Sequence, residues 1–158
     1  GIHPNVVTYT MVISACAKGS QWEKAIDLFN QMQGKGIVPD VVTYTTLINA
    51  CAKGLQWEKA IDFFNQMQER GIDPDVFSYN TLISACEKGS QWEKAIGFFN
   101  KMQEKGVDPN AITYSAVISA CEKGLQWEKA SGFIDQMQER GFQPDVTTYN
   151  AIMNALRK

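Results

Sequence analysis

Histidine occurs once in the 158 residues, and neither a second histidine, a CxxC pair, an HxE pattern, a nucleophile motif nor a phosphate-cradling glycine loop accompanies His3. Without those groups no metal, cofactor or catalytic site is expected. No apolar run approaches the roughly 20 residues of a membrane span, and no basic, apolar, small-residue leader opens the sequence. A water-soluble chain is expected, and because it starts at Gly1 rather than Met the missing leader says nothing of compartment. A surplus of positive charge is also missing: fifteen Lys and Arg stand against seventeen Asp and Glu, a net charge of -2. Any affinity for nucleic acid must then come from where the basic groups sit. With 44% apolar residues and 12 glycines, disorder and collagen are excluded, and the length suits one domain.

What the sequence has is repetition, with a period of 35 residues. The string A-C-A/E-K-G-S/L-Q-W-E-K-A recurs at Ala15 to Ala25, Ala50 to Ala60, Ala85 to Ala95 and Ala120 to Ala130. Four full units follow, 6–40, 41–75, 76–110 and 111–145. Residues 1–5 match the end of a preceding unit, and 146–158 match the first helix of a truncated fifth. All of 1–158 reads as a single array, a window from a longer one.

Each unit predicts two helices. Asp40 is a natural N-cap, and Val41, Tyr44, Leu47, Ile48 and Cys51 recur at helical spacing until Gly54. In the second helix, Trp22, Ala25, Ile26, Phe29 and Met32 form the apolar stripe, and Gly36 followed by Pro39 ends it. Ser20 with Glu23, and Ser90 with Glu93, have the spacing of capping boxes. Leu55 and Leu125 replace that serine, so those two helix starts are expected to be weaker by about 1 kcal/mol each.

One amphipathic pair cannot bury its stripe alone, so the pairs are expected to stack into a solenoid, aligning equivalent positions into rows. The second, fifth, ninth and thirteenth residues of the first helix share one face. They are Val7, Thr10, Ser14, Lys18; Val42, Thr45, Asn49, Lys53; Phe77, Asn80, Ser84, Lys88; and Ile112, Ser115, Ser119, Lys123. Such a face is too polar for a helix-to-helix seam and too regular for filler. It suits single-stranded nucleic acid: apolar side chains at constant pitch for base faces, short hydroxyls and amides for Watson-Crick edges, and a lysine per phosphate. Aligned lysines make a basic strip if the acidic groups lie on the second helices and turns.

These residues carry a resemblance to the pentatricopeptide repeat family, whose unit looks like V-T-Y-N-T-L-I, then E-A, M and G-x-x-P-D. Val7-Thr8-Tyr9, Phe77-Ser78-Tyr79-Asn80-Thr81-Leu82-Ile83, Ala25, Met32 and Gly36-Ile37-Val38-Pro39-Asp40 match it, and the period separates the chain from 34-residue tetratricopeptide repeats. It departs from the pattern at Trp22, Trp57, Trp92 and Trp127, where the family more often has aliphatic residues. Cys16, Cys51, Cys86 and Cys121 stand where it usually has Leu.

The resemblance implies an all-α, right-handed α-solenoid that binds single-stranded RNA at one nucleotide per repeat, without enzymatic activity or cofactor. It implies that the residue after the Tyr and the unit's last residue choose the base: Thr10 with Asp40, Thr45 with Asp75, Asn80 with Asn110, Ser115 with Asp145, and Asn150 in the truncated unit. Thr or Ser with Asp resembles a guanine reader and Asn with Asn a pyrimidine reader, giving 5'-G-G-C/U-G-3'. By the same resemblance Val7, Val42, Phe77, Ile112 and Thr147 stack on bases, and Lys18, Lys53, Lys88, Lys123 and Lys158 contact phosphate. An organellar setting, mitochondrion or chloroplast, and a role in RNA processing, stability or translation are implied by resemblance alone.

Plainer roles stand beside these. Asp40, Asp75, Asn110 and Asp145 would cap helices in a protein that binds nothing, and the lysines would favour a helix C-terminus. The four Trp lie on the second-helix stripe and are expected to pack in the core rather than on bases. The Cys, one per unit, are too far apart for bridges and read as small buried hydrophobes in a reducing compartment. The main competing function is a helical scaffold that holds a peptide in the same groove.

Overall fold

In a computed structural model of the protein, residues 5–156 are described. His3 and Lys158, and the side chain of Thr147, lie outside the described residues. Among those described there are helices and no strand: α1 (Val6–Lys18), α2 (Trp22–Gly34), α3 (Val41–Lys53), α4 (Trp57–Glu69), α5 (Val76–Lys88), α6 (Trp92–Glu104), α7 (Ala111–Lys123), α8 (Trp127–Glu139) and α9 (Val146–Leu156). Each even helix packs on the odd helix before it and the one after it. Successive odd helices pack closely along their length, whereas successive even helices stay further apart and touch through side chains such as Phe29 on Phe63 and Phe64 on Phe98. The chain is an α-solenoid with the odd helices on its tighter, inner side.

The apolar periodicity explains the core. Tyr44, Leu47, Ile48 and Cys51 of α3 are fully buried, as are Ala25, Phe29 and Met32 of α2. Each buried Phe of an even helix meets, edge to face, the Tyr of the next odd helix: Phe29 on Tyr44 at 5.2 Å, Phe64 on Tyr79 at 5.1 Å, Phe99 on Tyr114 at 5.3 Å. These contacts run from one unit to the next, so no unit closes its own core. The tryptophans act in the same direction. Trp22, Trp57 and Trp92 are half-buried against Gly54, Gly89 and Gly124, the glycines that end the next odd helices. Lys59 lies over Trp22 and Lys94 over Trp57, each 5.8 Å from the ring centre. The cysteines are free thiols; Cys51, Cys86 and Cys121 are buried and Cys16 half-buried.

The helix starts correct one expectation. Asp40, Asp75 and Asn110 form capping boxes, accepting from the amide of Thr43, Ser78 or Thr113 while that side chain accepts from the cap's own amide. Ser20 and Ser90 form none. Gln21, Gln56, Gln91 and Gln126 occupy the N-cap of the even helices without a side-chain capping bond, and Ser20, Leu55, Ser90 and Leu125 precede them at φ between 58° and 61°. Only three residues separate the paired helices, and the middle one must turn left-handed, outside the extended geometry a capping side chain needs. Leu55 and Leu125 therefore lose no cap relative to serine; their cost is that of a left-handed side-chain-bearing residue.

Candidate nucleic-acid interface

In α1, α3, α5 and α7 the second residue lies in the first turn and faces away from the core. Val7, Val42, Phe77 and Ile112 are 57–65% exposed, an unusual placement for four large apolar side chains at the same position. Val42 and Phe77 flank a cleft of about 430 Å³ that Thr45 and Asp75 also line, together with Asn49 and Thr81. A slot bounded by two apolar side chains with hydroxyl and carboxylate groups within it matches the flat face and polar edge of a nucleobase.

The fifth residue lies lower, in the seam between successive odd helices. Thr10 Oγ1 is 2.9 Å from Thr43 Oγ1, and Thr45 Oγ1 is 2.9 Å from Ser78 Oγ. Thr43 Oγ1 in turn donates to Asp40 Oδ1 and Ser78 Oγ to Asp75 Oδ1, both at 2.9 Å. The fifth and last residues of a unit are thus joined through the third residue of the following helix. In later units they also touch directly: Asn80 Nδ2 donates to Asn110 Oδ1 at 3.1 Å, and Ser115 Oγ to Asp145 Oδ2 at 2.9 Å. Thr113 Oγ1 donates to Asn80 Oδ1 as well. The expectation that this face is too polar to form a seam is therefore wrong. Hydroxyl-to-hydroxyl bonding lets polar residues serve as a helix-to-helix contact, and Asn80 is only 7% exposed.

Burial pushes the Asp145 carboxyl up, but the Thr148 amide and the Ser115 and Thr148 hydroxyls outweigh it and hold the group below its ordinary value. Asn150 is exposed on α9. Thr147's side chain and Lys158, assigned above to a base and a phosphate, lie outside the described residues.

Lys18, Lys53, Lys88 and Lys123 end the odd helices and are exposed. Lys18, Lys53 and Lys88 make no ion pair with another described residue, but Lys123 Nζ is 2.7 Å from Glu87 Oε1. This corrects the placement of acidic groups: Glu87 and Glu122 stand on odd helices, so the basic strip is interrupted.

Two sets of residues escape the sequence reading. The third-position hydroxyls Thr43, Ser78, Thr113 and Thr148, all fully buried, hold the fifth and last residues in register. Their signal is a hydroxyl at that position in every unit, directly before the Tyr. Glu87 and Glu122 are the other set, visible in sequence only as a change from Ala17 and Ala52.

The chain matches the PPR repeat family over residues 4–53, 53–88, 74–123 and 116–158. Among solved structures it superposes on the maize pentatricopeptide repeat protein PPR10 in complex with an 18-nt psaJ RNA element, with a TM-score of 0.86 and 27% identity over 99% of this chain and 23% of that one. It also superposes on the PPR domain of Arabidopsis thaliana protein-only RNase P 1 in complex with tRNA, with a TM-score of 0.84 and 20% identity over 100% of this chain and 83% of that one. That second likeness speaks to the fold. Among curated proteins there is no match. The chain spans about a quarter of the length of PPR10.

Proposed function

Since the chain belongs to the pentatricopeptide repeat family, we propose that it binds single-stranded RNA along its odd helices, one nucleotide per repeat, with no chemistry of its own. The observation that carries this reading is the cleft between Val42 and Phe77 with Thr45 and Asp75 inside it. Two apolar side chains hold a base by its faces, while the joined fifth and last residues meet its edge. The pairs Thr10–Asp40, Thr45–Asp75, Asn80–Asn110 and Ser115–Asp145 then select 5'-G-G-C/U-G-3', and Val7, Val42, Phe77 and Ile112 separate successive bases. Lys18, Lys53 and Lys88 meet phosphates. The likeness to PPR10, crystallised in complex with an 18-nt RNA element, supports RNA binding. Four bases give little selectivity, so the module serves as part of a longer array acting on an organellar transcript, and its buried thiols fit a reducing compartment.

The test is titration of the chain with 5'-GGCG-3' set in a uridine or adenine tract, against a shuffled core and a peptide library, at two salt concentrations. Preference for the intact core is expected, with log K falling on log salt at a slope of about -2, the value for three lysines on a single strand. Equal affinity for the shuffled core removes the base assignment. Peptide binding that ignores salt, without RNA binding, replaces the whole reading with the scaffold.

A further inference from the structure

The twelfth residue of the odd helices is Ala17 and Ala52 in the first two units and Glu87 and Glu122 in the next two. Glu87 reaches from α5 across the seam to α7, where its Oε1 lies 2.7 Å from Lys123 Nζ and accepts from Ser119 Oγ at 2.9 Å. Glu122 repeats the reach one unit on, accepting from Asn154 Nδ2. The Glu87 side chain is 15% exposed, so water screens its pull on the ammonium less than in an open surface pair. Lys53 and Lys88 follow Ala17 and Ala52 by the same interval of 36 residues that separates Lys123 from Glu87, so the neighbouring unit offers them no carboxylate at that place. A phosphate approaching Lys123 must break its pair or settle beside a carboxylate of its own sign.

The geometry points to Glu87 as an affinity-setting residue that withholds Lys123 from the RNA backbone, so that the strand is gripped at Lys18, Lys53 and Lys88 and held loosely at the fourth unit. This rests on the RNA-binding reading and adds to it an uneven hold along the groove. Equivalence of the four lysines is the alternative, as is a Glu87 that aims Lys123 at a phosphate.

The variants Glu87→Ala, Glu87→Gln, Lys123→Ala and Glu87→Ala with Lys123→Ala separate these. Alanine already stands at the equivalent place in two units, and glutamine keeps a partner for Ser119, so both are expected to fold; helicity and the denaturation midpoint check this. Affinity for the single-stranded RNA is measured across a salt series. Glu87→Ala is expected to tighten binding about three- to tenfold at low salt and steepen the slope from about -2 to about -3. Glu87→Gln should steepen it likewise. Lys123→Ala should change little alone but abolish the gain in the Glu87→Ala background. If the original chain binds and Glu87→Ala leaves the slope unchanged or weakens binding, the assignment of Glu87 falls while the RNA reading stands. If the original chain binds no RNA at either end of the salt series, both fall.

Discussion

The indole of Trp57 presses so closely on Gly89 of the next unit that a Cβ there would stand 2.4 Å from Trp57 Cδ1 and 3.1 Å from Trp57 Cβ. Gly89 has a φ of -87°, which any residue adopts, so glycine is needed for this approach and not for its backbone freedom. Gly19 ends the first odd helix in the same conformation, but its nearest neighbour to an added Cβ is the Ala15 carbonyl oxygen at 3.6 Å. Gly89→Ala is therefore expected to cost about 1–3 kcal/mol, the range for overpacking, and Gly19→Ala under about 0.5. Urea denaturation of the two variants side by side decides it. Equal midpoints would mean that the tryptophan does not lock consecutive units.

Leu55 and Leu125 hold left-handed backbone at φ 61° and 58° while 67% exposed, so they keep the strain of that conformation and gain little burial in return. Leu55→Gly relieves it and should raise stability by about 0.5–1 kcal/mol, and Leu125→Gly should do the same. Ser20→Ala removes no capping bond and should change stability by less than about 0.5 kcal/mol, where a true cap would cost about 1. A Ser20→Ala loss of the larger size would restore the capping box that the sequence spacing suggested.

That contrast marks what the sequence carries. The period, the helix pairs and the buried stripe are written in apolar spacing, and Tyr44, Phe29, Met32 and Cys51 lie where that spacing puts them because stacking must bury them. The pattern Ser-x-x-Glu at Ser20 and Ser90 is the same string whether the serine is extended or left-handed, and a three-residue connection decides the matter. The site divides the same way. Val7, Val42, Phe77 and Ile112 stand out in sequence as apolar residues on a polar face. The Glu87–Lys123 pair depends on which residues of one unit face which of the next, an offset that no single repeat contains.

Burial drives the thiols of Cys51 and Cys86 up to about 12 and that of Cys121 up to about 11, only partly countered by Lys59, Lys94 and Lys129. It raises the hydroxyls of Tyr44, Tyr79 and Tyr114 too, partly countered at Tyr44 and Tyr114 by Arg70 and Arg140. The unfolded chain gives up a thiol proton near pH 8.5 and the folded chain keeps it, so the unfolded state binds fewer protons and stability falls as pH rises from about 8.5 towards 12. Urea midpoints at a series of pH values should decline from about pH 8.5 and steepen near 10, where unfolded tyrosines join. The triple variant Cys51→Ala, Cys86→Ala, Cys121→Ala should be flat until about pH 10. A decline unchanged in that variant would place the titrating groups elsewhere.

Asn80 and Asn110 are the one pair among the four that differs in kind, and the seam around them shows that it can be exchanged. At the first unit Thr10 contacts Thr43, which bonds Asp40; at the third, Asn80 contacts Thr113, which bonds Asn110. The linking residue is threonine in both, so Asn80→Thr with Asn110→Asp should rebuild the first unit's network in the third without an unpaired buried group. The proposed pyrimidine at the third position should then give way to guanine, with a change in relative affinity of about tenfold or more, the size of one well-formed edge contact of about 1.4 kcal/mol or better. Asn80→Thr alone leaves a hydroxyl facing the Asn110 amide and should loosen selection without redirecting it. Binding of four RNAs that differ only at the third base measures both. If the double variant folds and keeps the original order of bases, Asn80 and Asn110 serve the seam between helices and not the choice of nucleotide.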